Sequence, residues 1–120
     1  MAKILVHITS GTENPSKAAL GFHVAKAAVE EGHTVTMFLA GDGVQLMRDG
    51  AIEHLSGLGT GKLSELYDAV VAGGVKIYLS GMSSKTRGLR PEELEGKPYE
   101  FGGPVDLVRL SLDHDRMFTY

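Results

Sequence analysis

The stretch Ser80-Gly81-Met82-Ser83-Ser84-Lys85-Thr86-Arg87-Gly88 gathers three serines, a lysine and an arginine directly after an apolar run. If Ser83 or Ser84 opens a short helix, free backbone amides, hydroxyls and the Arg87 guanidinium converge on one small anion. Serine capping beside a solvated arginine accounts for the same residues without any ligand. A serine nucleophile is not expected, because there is no Gly-x-Ser-x-Gly elbow and no general base can be assigned.

A second hydroxyl-rich loop, Ser10-Gly11-Thr12-Glu13-Asn14-Pro15-Ser16, lies between an apolar run and a helix start. Its free amides and the positive end of the helix dipole favour an anion, whereas Glu13 opposes one. Ordinary capping and turn chemistry calls for the same residue types. Gly57-Leu58-Gly59-Thr60-Gly61-Lys62-Leu63 imitates a phosphate-binding loop but is one residue short between its outer glycines. Leu63 also stands where a magnesium-binding hydroxyl belongs, so the segment reads as a flexible connector.

The histidines His7, His23, His33, His54 and His114 show no paired metal-ligand spacing, and no metal or cofactor is expected. His7 falls inside a strand and reads as a hydrogen-bonded core residue. Asp113-His114-Asp115 suits the end of a surface helix, where a cationic histidine is favoured. The chain contains no cysteine. That excludes disulfides, thiolate zinc sites and any thiol nucleophile.

The elements that must position these residues follow from apolar periodicity. Lys3 to Thr9 reads as a buried strand, with Ile4, Leu5, Val6 and Ile8 nearly continuous. Asn14 before Pro15 starts a helix in which Ala18, Phe22, Ala25 and Val29 recur at helical spacing, and Gly32 stops it. Thr34 to Ala40 is a second strand, followed by the Gly41-Asp42-Gly43 turn and a short helix over Val44 to Arg48. Leu63, Leu66, Tyr67, Val70 and Val71 mark a helix ended by Gly73-Gly74, and Val75 to Ser80 is the next strand. Beyond a polar stretch from Gly81 to Pro98, Tyr99 to Phe101 reads as a short strand. Gly103-Pro104 then opens a last helix through Leu112, and Met117 to Tyr120 closes as a strand.

This alternation predicts one α/β domain over residues 1–120, a three-layer α/β/α sandwich on a mostly parallel open sheet of about five strands. Ligands of such sheets bind beyond the carboxyl ends of the strands. The turns at Ser10 to Asn14, Gly41 to Gly43 and Gly81 to Gly88 all fall there. The predicted ligand-binding set is Ser10, Thr12, Asn14, Asp42, Ser80, Gly81, Ser83 and Arg87, with Arg87 supplying charge.

With 120 residues, 42% hydrophobic and 22% charged, the chain has the balance of a globular domain with a modest core. A net charge of -3 with interspersed signs argues against nucleic acid. The amino-terminal residues lack the apolar run and cleavage site of a signal peptide, and no stretch approaches a membrane span, so a cytoplasmic location is expected. Asn14 and Gln45 are the sole side-chain amides, a depletion of heat-labile residues in keeping with a thermophilic protein.

At Ser80 to Gly88 the sequence resembles the DsrE/DsrF-like family, which includes the TusD-type sulfur-relay subunits. There a strand ends in a cysteine, followed by a small polar turn, in some members a second Cys or Ser, and an Arg-Gly pair. Here Val75-Lys76-Ile77-Tyr78-Leu79 leads to Ser80, with Ser83 further on and Arg87-Gly88 closing the pattern. Gly41-Asp42-Gly43-Val44 is similar to the family's Asp-Gly-Val turn, and Met117-Phe118-Thr119-Tyr120 to its short aromatic final strand. The resemblance implies a homo-oligomer, as dimer, trimer or hexamer, with the Ser80 turn facing a neighbouring subunit. It also implies a small anion or a sulfur-relay protein as partner. On this resemblance serines stand in the thiol positions, which excludes a cysteine-persulfide sulfurtransferase and leaves the Ser80 to Arg87 turn as either a working site or a relic. The alternative is a structural or regulatory subunit that assembles beside cysteine-bearing paralogues.

Overall fold

The computed structural model describes residues 1–120. Lys3–Ile8 forms β1, whose Leu5, Val6 and Ile8 are fully buried. A run without alternation is what a central strand needs, because both of its faces are covered. Helix α1 spans Pro15–Glu30, and the Asn14 side chain accepts a hydrogen bond from the Lys17 amide at 3.2 Å. A cap of this kind stabilises a helix by about 1 kcal/mol. Ala18, Ala19, Phe22 and Ala25 make its buried face. Strand β2, Thr34–Leu39, follows.

After β2 the chain departs from the sequence reading. A 3-10 helix covers Gly41–Met47, beginning before the expected Val44, and a further helix α2 occupies Asp49–His54. Gly50 and the polar composition of α2 hide it from periodicity, since only Ala51 is buried. The expected flexible connector is a small hairpin of β3 (Ser56–Gly57) and β4 (Gly61–Lys62). Long-range bonds fix it to α1: the Leu58 amide donates to Ser16 Oγ at 3.3 Å, and His23 Nε2 lies 2.5 Å from the Thr60 carbonyl oxygen.

Helix α3, Leu63–Ala72, buries Leu63, Leu66 and Val70, and strand β5 is Lys76–Ser80. The polar stretch then folds as two short helices, α4 (Gly81–Thr86) and α5 (Pro91–Leu94). Strand β6 (Glu100–Gly102), helix α6 (Pro104–Asp113) and strand β7 (Arg116–Thr119) complete the chain.

All five long-range strands run parallel in the order β6-β5-β2-β1-β7. Their carboxyl ends therefore share one edge, which brings the turns after β1, β2 and β5 together as expected. One face, with Ile4, Val6, Ile8, Val35, Met37 and Leu39, holds the main core beneath α1 and α3. The other presents Leu5, His7, Thr36, Phe38 and Tyr78 and is crossed by α6. There His114, just past α6, places Nε2 3.0 Å from Thr36 Oγ1. No helix is long and apolar enough to cross a membrane.

Candidate functional site at the carboxyl edge of the sheet

The three turns interlock through backbone contact. A Cβ added to Gly11 would lie 2.0 Å from the Asp42 carbonyl oxygen, and one on Gly43 would lie 2.2 Å from that of Ile8. Only glycine lets the ends of β1 and β2 approach this closely. Side chains then join β2 to β5. The Gly41 amide donates to Ser83 Oγ at 2.9 Å, the Ser83 amide donates to Ser80 Oγ at 3.2 Å, and Ser84 Oγ donates to the Ser80 carbonyl at 2.8 Å. Ser80 is thereby the cap of α4.

Arg87 Nε donates to Asp42 Oδ1 at 3.0 Å, and one of its terminal nitrogens donates to the Ser83 carbonyl at 3.3 Å. Its charge is paired within the chain. The Gly11 amide is likewise taken, at 2.6 Å, by Glu13 Oε1. Arg48 braces this edge: Nε donates to Gln45 Oε1, one terminal nitrogen to Glu93 Oε2 and the other to the Arg87 carbonyl at 2.7 Å. Burial works to raise the Glu93 pKa, but hydrogen bonds from Arg48 and Arg90 outweigh it and hold the carboxyl below its ordinary range.

The eight residues named from sequence separate into three groups. Ser80, Gly81 and Ser83 line an open cleft of about 600 Å³ between the starts of α4 and α6. Asp42 and Arg87 pair with each other beside it, while Ser10 is buried and Asn14 caps α1. Thr12 lines a different cleft, of about 380 Å³, with Pro15, Ala51, His54 and Ser56. The first cleft has an apolar rim that sequence reasoning missed, formed by Met82, Phe101 and Pro104, with Asp106 at its wall. Met82 is 78% exposed and Phe101 57%. Their signal was an unpaired apolar residue inside a polar turn and another on an edge strand.

Both serine hydroxyls accept a backbone amide here, and neither donates its own proton to a protein group. A hydroxyl has one donor and two acceptor positions, and no group of the chain takes up either proton. The cleft thus combines two serines, an apolar rim and one carboxylate in its lining.

His7 stands apart from this cleft. Its ring meets Phe38 edge-on at 6.0 Å, and its Nε2 is buried without a hydrogen-bond partner, contrary to the bonded core histidine expected from sequence. Burial lowers its pKa from 6.5.

The fold has solved counterparts across its whole length. The ychN protein from E. coli superposes with a TM-score of 0.80 at 22% identity, covering 100% of both chains. MTH1491 from Methanobacterium thermoautotrophicum, a protein of unknown function, gives 0.75 at 14% identity, again over 100% of both chains. At the sequence level, the uncharacterised protein MJ0760 of Methanocaldococcus jannaschii is 33% identical over 103 residues. That match takes in 86% of this chain and 38% of the length of MJ0760. A family model describes residues 2–120, so this cysteine-free chain belongs to the DsrE/DsrF-like family.

Proposed function

We propose that the protein is a thiol-free, non-catalytic DsrE-like subunit that assembles with copies of itself and receives a segment of a sulfur-relay partner in the cleft between α4 and α6. The observation that carries this reading is the composition of that cleft. Ser80 and Ser83, which the family resemblance sets at the thiol positions, line it together with an exposed rim of Met82 and Phe101, and no group of the chain takes up their hydroxyl protons. An apolar rim around a few polar groups suits a polypeptide segment. Transfer of sulfur onto this chain has no nucleophile, so its part is to hold or present the partner's own sulfur-bearing residue.

A small anion is the second reading, supported by the same hydroxyl protons. Asp106 in the wall and the pairing of Arg87 with Asp42 both oppose it. Capture from the native host by the wild type and by a Met82→Asp, Phe101→Asp variant tests the first reading. Both side chains are more than half exposed, and an unchanged circular dichroism spectrum is expected of the variant. Recovery of a cysteine-bearing relay protein by the wild type and its loss from the variant is the expected result. Equal capture by both, or none by the wild type, contradicts it.

A further inference from the structure

Helix α6 carries two apolar faces where a surface helix needs one. Leu107 and Leu110 are half-buried on the side toward the sheet, where His114 bonds Thr36. Val105, Val108 and Leu112 lie on the opposite side and are 61%, 58% and 82% exposed. At roughly 100° per residue these three fall within about 60° of one another and span about 10 Å of helix. A narrow seam at i, i+3 and i+7 is the contact line of a helix pair.

The charges beside the seam identify the second helix. Asp106, Arg109 and Asp113 share one flank, where they line a small cleft with Tyr78. Asp113 pairs with Lys3, and Asp106 accepts the Gly103 amide through Oδ2 alone. Arg109 makes no ion pair within the chain. In an antiparallel pair of identical helices like flanks face each other. A two-fold axis between positions 108 and 109 then sets Val105 against the partner's Leu112, and Val108 against the partner's Val108. Along the axis Arg109 falls between the partner's Asp106 and the partner's Asp113, offset by about 3 Å and about 7.5 Å, so opposite charges alternate on the shared flank. A parallel pair sets this flank against the uncharged side that bears Pro104 and Ser111, leaving Arg109 with no acidic neighbour across the pair.

We infer that the outer face of α6 is an isologous two-fold interface, packed antiparallel against α6 of a second copy. This rests on the reading that copies assemble, and it specifies which surface joins them. Facing Cα atoms in such a pair are about 4 to 6 Å apart, the range a disulfide spans.

The cysteine-free chain is a clean background for the test. Oxidation of a Val108→Cys variant is expected to give a covalent dimer. Val105→Cys alone is expected to stay uncoupled, yet to couple when mixed with Leu112→Cys chains. Val108→Asp should halve the subunit number in light scattering, with an unchanged circular dichroism spectrum. An oligomeric wild type whose Val108→Cys form does not couple and whose Val108→Asp form keeps its mass overturns the α6 interface alone. Self-coupling of Val105→Cys overturns the antiparallel arrangement. A monomeric wild type removes the assembly reading and this inference together.

Discussion

Arg87 and Asp42, 45 positions apart, meet through a 3.0 Å bond that joins the turn after β5 to the turn after β2. The side chains are 27% and 48% exposed, so the pair contributes at most about 1 kcal/mol to stability. Its larger effect is electrostatic, because Asp42 cancels the arginine charge at the one edge where an anion would bind. Asp42→Asn is therefore expected to bind sulfite or phosphate more tightly than the wild type, by several-fold in an NMR titration. Equal affinity in the two proteins contradicts this neutralising role.

The Arg48–Glu93 pair predicts an acid-side loss of stability. Glu93 titrates lower in the folded chain than in the unfolded one, so over that interval the unfolded state binds more protons. Its contribution is complete above the unfolded carboxylate value and is lost as pH falls through the depressed folded value. The urea midpoint should fall between about pH 5 and pH 3, and Glu93→Gln should flatten that fall. An unchanged slope in Glu93→Gln overturns the assignment.

His7 acts in the same direction at higher pH. Burial depresses its folded pKa below 6.5, so stability is full above the unfolded value and declines as pH drops through the folded one. His7→Leu removes both the titration and a buried nitrogen without a partner. Its melting temperature relative to wild type should be higher at about pH 5 than at about pH 7.5. The reverse order would show that His7 gains a partner when protonated.

With two side-chain amides and no cysteine, the chain is expected to melt above the mesophile range, beyond about 65 °C by circular dichroism. A midpoint at or below that range removes the thermophilic reading.

How far the sequence reached depended on whether an element is fixed locally. β1, β2 and β5 were legible as apolar runs, and α1 through Asn14-Pro15 and its alanine-rich buried face. Helix α2 was not, since it is polar around Gly50 and is held in place by its neighbours. The Gly57 to Lys62 hairpin depends on Ser16 and His23, more than thirty positions away in the chain. At the site, the meeting of three turns followed from parallel topology. The neutralisation of Arg87 did not, because no local pattern tells an arginine that it has a distant carboxylate. The expected set also joined Thr12 to Ser80, which line separate clefts.

Native mass spectrometry of gently purified protein, set against its denatured mass, tests the proposed role most directly, because it reads subunit number and retained partner together. An oligomer with reproducible excess mass is expected, with loss of that excess in the Met82→Asp, Phe101→Asp variant while the subunit number stays the same. A bare monomer, or an excess mass that survives in the variant, would contradict it.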